Sequence, residues 1–450
     1  MKLDELLARY SVPQQCRKIL LVTVGGSHQP IVRSIRETQP DLVCFICSDD
    51  TPNGKGSHVM VEGGGLVIKS NPQLTSPDLP NLVQLTGLQP GTWVVVRVPD
   101  CDDLQSCYDT AEQLIQWCHQ RWPDAELIVD YTGGTKSMTA GFAAAALDDG
   151  ACRFQAVTGM RTDLVKVRDR TESVVPLAVH AIFVRRHLRL AAQLVRRFDY
   201  GSAVAILEDC LCRYGHGELR HRLSTAVNIC RAFEAWDHFD HSEAWGILQS
   251  VRDEEVDCYR GPLKRLAASS QTTWELIDDL LANAERRAAQ RRFDDAVGRV
   301  YRALEMLIQL YLRDGYGIDT SDVQPEQLPE VLRDDYQRRY TASTGRIQVP
   351  LLAAWNLATT LGDNAVTQWY KENESRLRDF LQLRNYSLFA HGTTPINAAS
   401  YKEKVQAVQQ FILTGVERAS SVVASARRRL RLPQFPQQLK VLSGSEETVS

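Results

Sequence analysis

The sequence has little of what marks membrane, secreted or strongly polyanion-binding proteins. No apolar run in its 450 residues approaches bilayer-spanning length, and the amino-terminal stretch has no apolar signal core. The formal net charge is −3, so no global positive field draws the chain to nucleic acid, and such binding must be local. With 44% hydrophobic and 24% charged residues, the chain is predicted to be a cytoplasmic globular protein of two or three domains.

The eleven cysteines also lack the spacing of a metal site or a disulfide framework. Cys44 and Cys47 fall inside one apolar run, and in a strand their side chains point to opposite faces. Cys210 and Cys212 have no second cysteine or histidine pair nearby. We therefore expect reduced, mostly buried thiols and no bound metal.

Short apolar runs alternate with helical stretches from Arg17 to about Arg168. The runs predict strands at Lys18–Val24, Leu42–Cys47, Thr92–Val98, Glu126–Tyr131, Phe154–Thr158 and Leu164–Val167, with a tight turn at Gly159–Arg161. Continuous apolar strands between helices predict a largely parallel, Rossmann-like α/β sheet covered on both faces. Such sheets bind ligands beyond the carboxyl ends of their strands, where the strand order reverses.

The first loop of interest follows the first predicted strand. Gly25 and Gly26 allow close backbone approach, Ser27 and His28 offer polar side chains, and Pro30 opens a helix. This is not the three-glycine dinucleotide fingerprint, and no acidic residue follows in the required context. The loop therefore does not predict NAD binding.

The second loop follows the fourth predicted strand and leads into a small-residue helix. Its candidate ligand-binding residues are Thr132, Gly133, Gly134, Thr135, Lys136 and Ser137. Backbone N–H groups at a helix N-terminus, together with a lysine in the first turn, make an anion site. The spacing of an ATPase phosphate loop is absent. The structural alternative is a tight turn in which Thr135 only caps the helix.

Beyond the α/β region the chain is predicted to be helical almost throughout. Near its end, a helix from about Glu374 is predicted to continue through His391. Seven residues separate Arg384 from His391, which places both on one helix face two turns apart, with Asn385 at its shoulder. Arg, Asn and His can clamp a phosphate, orient it and move a proton. The alternative is a buried polar helix ended by a capping histidine and Gly392.

Two further expectations concern the same half of the chain. Glu305 lies within the apolar stripe of a long helix, where an unpaired carboxylate is costly, so we expect it to pair with a basic side chain or to lie at the stripe's edge. Residues 432–450 lack periodicity and are predicted to be a disordered tail.

The two motifs together resemble a known protein family. The first resemblance is to the CARF domain, a Rossmann-like sensor of cyclic oligoadenylate. It rests on the segment Asp130–Met138, which follows a strand and leads into a helix, together with the Val24–Ser27 loop. The late Arg-Asn-x-x-x-x-x-His pattern in a helical bundle resembles the HEPN domain. In this order they resemble the CARF–HEPN ribonucleases of type III CRISPR systems. The resemblance implies a CARF sensor at 1–175, an all-α connector at 176–270 and an all-α HEPN ribonuclease domain at 271–431.

The resemblance also implies an activity. It implies a metal-independent endoribonuclease, without cofactor, that cleaves single-stranded RNA by attack of the RNA's own 2′-hydroxyl and leaves a 2′,3′-cyclic phosphate and a 5′-hydroxyl. His391 would be the general acid or base, Arg384 would stabilise the phosphate charge, and Asn385 would orient the phosphate or the histidine. The active site would be shared across a homodimer, and cyclic tetra- or hexa-adenylate would be the allosteric activator, held by Gly25–His28 and Thr132–Ser137.

Three other functions stay open at this point. The HEPN module could be non-catalytic and serve only dimerisation or docking. The sensor could also degrade its ring. The third alternative is a ligand-controlled DNA-binding regulator, but there is no recognition-helix and wing pattern and no basic cluster beyond Arg427–Arg431.

Overall fold

The computed structural model describes residues 7–52, 54–69, 77–158, 173–177, 179–427 and 432–443. The chain divides into two compact units, Met1–Phe183 and Val184–Ser450. In the part of the chain that the structure describes, no helix combines the length and apolarity needed to span a bilayer. The same described residues contain no group of three or more histidine, cysteine, aspartate or glutamate side chains placed to hold a metal ion.

The first unit is built on a six-stranded sheet with the order β3-β2-β1-β4-β5-β6. The strands are β1 (Lys18–Thr23), β2 (Leu42–Ser48), β3 (Trp93–Val98), β4 (Glu126–Asp130), β5 (Arg153–Thr158) and β6 (Ser173–Leu177). The first five are parallel and β6 runs antiparallel to β5. The chain adds β2 and β3 on one side of β1 and then returns to add β4 on the other. The strand order therefore reverses between β1 and β4, as the sequence predicts for a Rossmann-like sheet.

Helices cover both faces of this sheet. They are α1 (Gln29–Thr38), α2 (Val59–Glu62), α3 (Leu82–Thr86), α4 (Leu104–Arg121) and α5 (Lys136–Asp149). The central strands β1 and β2 are almost entirely apolar because both of their faces are buried. Cys44 lies in the core under α4 and α5, whereas Cys47 lies in the core under α1, which confirms that they point to opposite faces. All eleven cysteines are free.

The end of the first unit differs from the sequence prediction. The resemblance places the end of the sensor at residue 175, but Ser173–Leu177 forms the edge strand β6, so the sheet extends past that boundary. Pro176 did not prevent this, because an edge strand tolerates a residue without an N–H on its open side. The predicted strand Leu164–Val167 and the predicted turn Gly159–Arg161 lie outside the described residues.

The second unit consists of helices and the loops that join them, with only isolated β-bridges between extended residues in its described part. The division between the units falls within α6. The helices are α6 (His180–Val195), α7 (Tyr200–Tyr214), α8 (Gly217–Asp237), α9 (His241–Leu248), α10 (Asp257–Ala268), α11 (Glu275–Ala289), α12 (Phe293–Tyr316), α13 (Glu330–Tyr340), α14 (Leu351–Leu361), α15 (Ala365–Tyr386), α16 (Ala398–Ser400), α17 (Gln406–Val422) and α18 (Ala424–Arg427). A π-helical turn, Tyr401–Val405, joins α16 to α17. The long apolar stripe of α12 lies at the centre and packs against α11, α14, α15 and α17.

The carboxyl-terminal segment 432–443 packs on this unit, so the predicted disordered tail is wrong for these residues. Phe435 is 3% exposed and stacks under the buried guanidinium of Arg286, whose Cζ lies 3.6 Å from the ring centroid. Gln434 Oε1 accepts a hydrogen bond of 2.7 Å from the same guanidinium. Pro433 and Pro436 interrupt the helical periodicity on which the prediction depends. The buried side chains of Leu432, Phe435, Leu439 and Leu442 nevertheless anchor the segment without regular secondary structure. Residues 444–450 lie outside the described part of the chain.

Replacing Phe435 by alanine should destabilise the second unit. The change leaves a cavity among aromatic rings and uncovers Arg286, so we expect the free energy of unfolding to fall by about 3–5 kcal/mol. Urea unfolding followed by tryptophan fluorescence measures this, because Trp236 lies 5.1 Å from the Phe435 ring. The control Val331→Ala, at a side chain 77% exposed, should change stability by at most about 0.5 kcal/mol. Equal stabilities for the two variants would mean that segment 432–443 is not docked in solution.

Candidate functional sites

The two glycine loops of the first unit meet at the carboxyl ends of β1 and β4. A Cβ atom on Gly25 would lie 2.5 Å from the backbone nitrogen of Gly134, and one on Gly133 would lie 2.4 Å from the carbonyl oxygen of Thr23. The Thr23 hydroxyl donates a 2.6 Å hydrogen bond to the Gly133 carbonyl. The contact is thus backbone against backbone, and any side chain at Gly25 or Gly133 would separate the loops.

The N-terminus of α5 opens directly from the second loop. Thr135 is its N-cap, since its hydroxyl accepts a 3.1 Å hydrogen bond from the Met138 N–H. The first N–H groups of this 14-residue helix have no intrahelical partner, so they carry a partial positive charge. Lys136 is exposed at the first helical position and makes no hydrogen bond or ion pair with any described residue. The amides and the ammonium together form the cationic part of the site.

The hydroxyl groups of the second loop already donate hydrogen bonds to other groups of the protein. Thr132 donates to Asp130 and accepts a 3.0 Å hydrogen bond from the Val157 N–H. Thr135 donates to the Cys101 carbonyl, and Ser137 donates a 2.8 Å hydrogen bond to the Asp102 carbonyl. Thr132 therefore fixes the loop against β5, and Thr135 and Ser137 fix it against the turn that follows β3. Of the other sequence-predicted residues, Gly26 and Ser27 are exposed beside this loop, and His28 is half-buried before α1 without capping it.

The ends of β2 and β3 carry charged residues that the sequence analysis missed. Arg97 pairs with Asp49 at 3.3 Å and with Glu62 at 3.0 Å. His58 lies 2.9 Å from Asp50, and hydrogen bonds from the Gly56 N–H and from His58 hold the pKa of this carboxyl well below its usual range. The sequence feature that could have indicated them is their position at or just after the carboxyl ends of parallel strands, where ligands bind in such sheets. Arg97 is already paired with two carboxylates, whereas Lys136 at the β1–β4 loops has no partner among the described residues and can meet an anionic ligand.

The glycine contact yields a stability prediction. Gly133→Ala forces a Cβ against the Thr23 carbonyl, so we expect the free energy of unfolding of the first unit to fall by about 1–3 kcal/mol. The matched control is Gly26→Ala, because a Cβ there meets no atom within 4 Å. The control should lie within about 0.5 kcal/mol of the parent chain in thermal or urea unfolding. If the two variants unfold alike, the loops do not touch as described.

The second candidate site lies at the end of α15, and here the predicted helix is too long. The helix ends at Tyr386, and Ser387 leaves the helical conformation with φ −77° and ψ 164°. The Ser387 hydroxyl donates a 2.7 Å hydrogen bond to the Arg384 carbonyl and so satisfies an acceptor that a further helical turn would have used. Arg384 and His391 are therefore not stacked on one helix face.

The loop after α15 nevertheless returns His391 to the helix end. The His391 N–H donates a 3.2 Å hydrogen bond to the Asn385 carbonyl, and the Thr394 N–H donates a 3.1 Å hydrogen bond to the Tyr386 carbonyl. A Cβ atom on Gly392 would lie 2.1 Å from the Tyr386 carbonyl oxygen, so only glycine permits this return. Gly392 does not cap a helix that contains His391, as the sequence suggested; it holds the loop against the helix end.

Arg384 is held by an aromatic ring and an amide. Its Cζ lies 4.3 Å from the ring centroid of Tyr301, and its Nη1 donates a 3.2 Å hydrogen bond to the Asn385 side chain. Burial, with a hydrogen bond to Glu305, raises the pKa of Tyr301 to about 12, so the ring stays neutral under the guanidinium. Glu305 also pairs with Arg302 at 3.3 Å, as expected for a carboxylate at the edge of an apolar stripe. Tyr301 was missed because it fits the apolar pattern of α12.

A cavity of about 420 Å³ opens beside this helix end. Among the described residues, Leu352, Arg378, Leu381, Gln382, Asn385, Tyr386 and His391 line it. It brings Asn385 and His391 together, whereas Arg384 faces Tyr301 and is joined to the cavity through Asn385. Arg378 is an addition to the predicted set, and the sequence held the signal, since it precedes Asn385 by seven residues on one helix.

An exposed apolar patch surrounds the same loop. Tyr386 is 60% exposed, Leu388 64% and Phe389 61%, and Leu352 beside the cavity is 37% exposed. Contiguous exposed side chains of this size mark interaction surfaces. We call Tyr386, Leu388 and Phe389 the apolar patch.

A Rossmann-like sheet with glycine loops at its switch point, followed by helices that carry an Arg–Asn–His set, defines the CARF–HEPN class of type III CRISPR proteins. Two family models match the second half of the chain: the Csm6 6H domain at residues 183–264 and the Csm6 HEPN domain at residues 265–414. Together they cover more than half of the sequence. The chain belongs to the Csm6 family.

Solved structures agree with this fold. The chain is similar to Enterococcus italicus Csm6 bound to cyclic hexa-2′-fluoro-hexa-dAMP, with a TM-score of 0.58, 13% identity, and coverage of 90% of this chain and 95% of that one. Can2 from Sulfobacillus thermosulfidooxidans in complex with cyclic tetra-adenylate is 13% identical and gives a TM-score of 0.22 over 55% of this chain and 71% of that one. That score is too low to carry an argument. No curated protein sequence matches the chain.

Proposed function

We propose that this chain is an endoribonuclease of type III CRISPR defence that cyclic oligoadenylate activates. The observation that carries the proposal is the return of His391 to Asn385, next to an Arg384 held by Tyr301, within the segment that matches the Csm6 HEPN model. A proton-transfer group, an amide and a fixed guanidinium are the set that phosphodiester cleavage needs.

The proposed reaction is intramolecular and metal-independent. The RNA's 2′-hydroxyl attacks the adjacent phosphorus, the 5′-oxygen leaves, and the products are a 2′,3′-cyclic phosphate and a 5′-hydroxyl. His391 accepts the proton of the 2′-hydroxyl or donates one to the leaving oxygen, since an imidazole can act either as a base or as an acid. Arg384 stabilises the charge that develops on the phosphate oxygens. The Asn385 side chain accepts a hydrogen bond from the Arg384 guanidinium, and the Asn385 backbone carbonyl accepts one from the His391 backbone N–H. Asn385 therefore holds Arg384 and His391 at a fixed spacing.

We further propose that the active site is shared by two copies of the chain. One histidine per chain can serve only one of the two proton transfers at a given moment, whereas a two-fold axis beside α15 supplies a second. Leu388 and Phe389 of the apolar patch lie next to His391 in sequence and are mostly exposed, which supports a second copy covering these two side chains. A two-fold axis also matches a cyclic oligoadenylate with an even number of repeats.

The β1–β4 loops are the proposed sensor site for cyclic tetra- or hexa-adenylate. Lys136 and the first N–H groups of α5 would bind the ring's phosphates. The loop that contains Gly26 and Ser27 would form the facing wall. The hydroxyls of Thr132, Thr135 and Ser137 already donate hydrogen bonds within the protein and would fix the conformation of the loop. The ligand contacts would therefore come from the loop backbone and from Lys136.

Replacing His391 by alanine should abolish RNA cleavage, with a loss of at least about 100-fold, because proton transfer is removed. The measurement uses labelled single-stranded RNA with and without cyclic tetra- and hexa-adenylate, and ring binding by calorimetry should not change. His221→Ala, at an exposed histidine of α8, is the control and should cleave like the parent chain. Cleavage by the His391 variant would refute the assignment. A parent chain that binds the ring without cutting RNA would instead favour a non-catalytic HEPN module.

Replacing Lys136 by glutamine should raise the ring concentration that gives half-maximal activation by about 5- to 50-fold, because one charge-assisted phosphate contact is lost. The maximal rate at saturating ring should stay the same. Arg153→Gln removes an equal charge at the amino ends of the strands, on the opposite edge of the sheet, and should leave the activation curve in place. An unshifted curve for the Lys136 variant would exclude the β1–β4 loops as the ring site.

A further inference from the structure

A second cavity adjoins the first at the end of α15. It has a volume of about 380 Å³ and is lined by Asp379, Gln382, Leu383, Tyr386, Thr394, Pro395, Ile396, Asn397, Ser400 and Lys404. Gln382 and Tyr386 line both cavities. A molecule that fills one cavity is therefore one side chain away from a molecule that fills the other.

The two cavities differ in charge. The first is lined by Arg378 and His391 and by no carboxylate. Glu374, one turn earlier on α15, accepts hydrogen bonds from Nε and Nη2 of Arg378, so Nη1 is the part of this guanidinium that has no partner among the described residues and can meet a phosphate. In the second, the carboxylate of Asp379 is balanced by the ammonium of Lys404, so the cavity is neutral. Its apolar wall includes Ile396, which is 6% exposed. A neutral cavity with an apolar wall and a polar rim suits a planar heterocycle better than an anion.

The loop that forms the far wall of the second cavity is fixed by its own hydrogen bonds. The Ile396 N–H donates a 3.2 Å hydrogen bond to Asp294, and the side-chain oxygen of Asn397 accepts a 2.9 Å hydrogen bond from the Ser400 N–H. The Asn397 amide N–H groups are left for another acceptor. The π-helical turn Tyr401–Val405 follows at once and carries Lys404, and such turns recur at functional sites.

We propose that the second cavity binds a nucleobase of the RNA, the one that flanks the phosphate cleaved in the first cavity. This rests on the proposed function and adds a specificity site to it. Tyr386 offers an exposed ring for stacking, and Gln382 has an amide that can both donate and accept. The Asp379 carboxylate only accepts, so it can bond to the exocyclic amine of adenine, guanine or cytosine. Uracil has no exocyclic amine and presents two carbonyl oxygens beside its single ring N3–H, so we expect it to bind more weakly.

Oligodeoxynucleotides with a single ribonucleotide test this, because the reaction needs a 2′-hydroxyl and is then confined to one phosphate. The base at the ribonucleotide and the base that follows it are varied separately. At one of the two positions, kcat/KM should be at least about 5-fold lower for uracil than for the best amine-bearing base. Asp379→Asn supplies an N–H donor, and we expect it to bring uracil within about 2-fold of that base. Glu372→Gln, at an exposed acidic residue of the same helix outside the cavity, should keep the discrimination.

Binding gives a readout that does not depend on catalysis. Four 2′-O-methyl oligoribonucleotides, identical except for the flanking base, are compared by fluorescence anisotropy with the parent chain and with both variants. Weaker binding of the uracil oligonucleotide, relieved by Asp379→Asn and not by Glu372→Gln, supports the nucleobase site even if no RNA is cut. Equal binding of all four, or discrimination that survives Asp379→Asn, overturns it. If the parent chain binds the uracil oligonucleotide more weakly than the others but cleaves no RNA, the result counts against the proposed ribonuclease and not against this nucleobase site.

Discussion

The second unit's site depends on one close backbone contact, the approach of Gly392 to the carbonyl of Tyr386. The helix that carries Arg384 stops before His391, so helical geometry cannot bring the two together. Only the return of the loop does so, and a side chain at position 392 would collide with the helix end. The same return sets the path of residues 394–397, which form one wall of the second cavity. One glycine thus supports both the proposed phosphate site and the proposed nucleobase site.

The first unit also depends on close backbone contacts at glycine residues. Gly25 and Gly133 let two loops touch through their backbones, and Thr23 joins them by a side-chain hydrogen bond. In both units the elements are ordinary and the sites are made where chain segments approach more closely than side chains permit. Such contacts leave backbone N–H groups and a few long side chains to meet a ligand. In the first unit this is Lys136, and in the second it is Arg378, whose Nε and Nη2 are bonded to Glu374 and whose Nη1 has no partner among the described residues.

Sequence periodicity predicted the sheet well because its strands are buried on both faces and read as uninterrupted apolar runs. It failed at Ser387, because Leu388 and Phe389 continue an apolar pattern although both are mostly exposed. Periodicity assumes that apolar residues face the chain's own core. It failed again at 432–443, where Phe435 and Leu439 anchor an irregular segment through contacts distant in sequence. Tyr301 fits the apolar spacing of α12, and its contact with Arg384 depends on how α12 packs on α15.

The exposed side chains that misled the helix prediction are consistent with the proposed dimer. In sequence, Leu388 and Phe389 lie between Tyr386, which lines both cavities, and His391, which lines the first. The loop is tied to the helix by backbone hydrogen bonds, and its apolar side chains make no core of their own. A second copy that buries these side chains would gain apolar contact area and at the same time fix His391 and Tyr386. Dimer contact, proton transfer and base recognition would then share one loop, so a change in the dimer contact would act directly on catalysis.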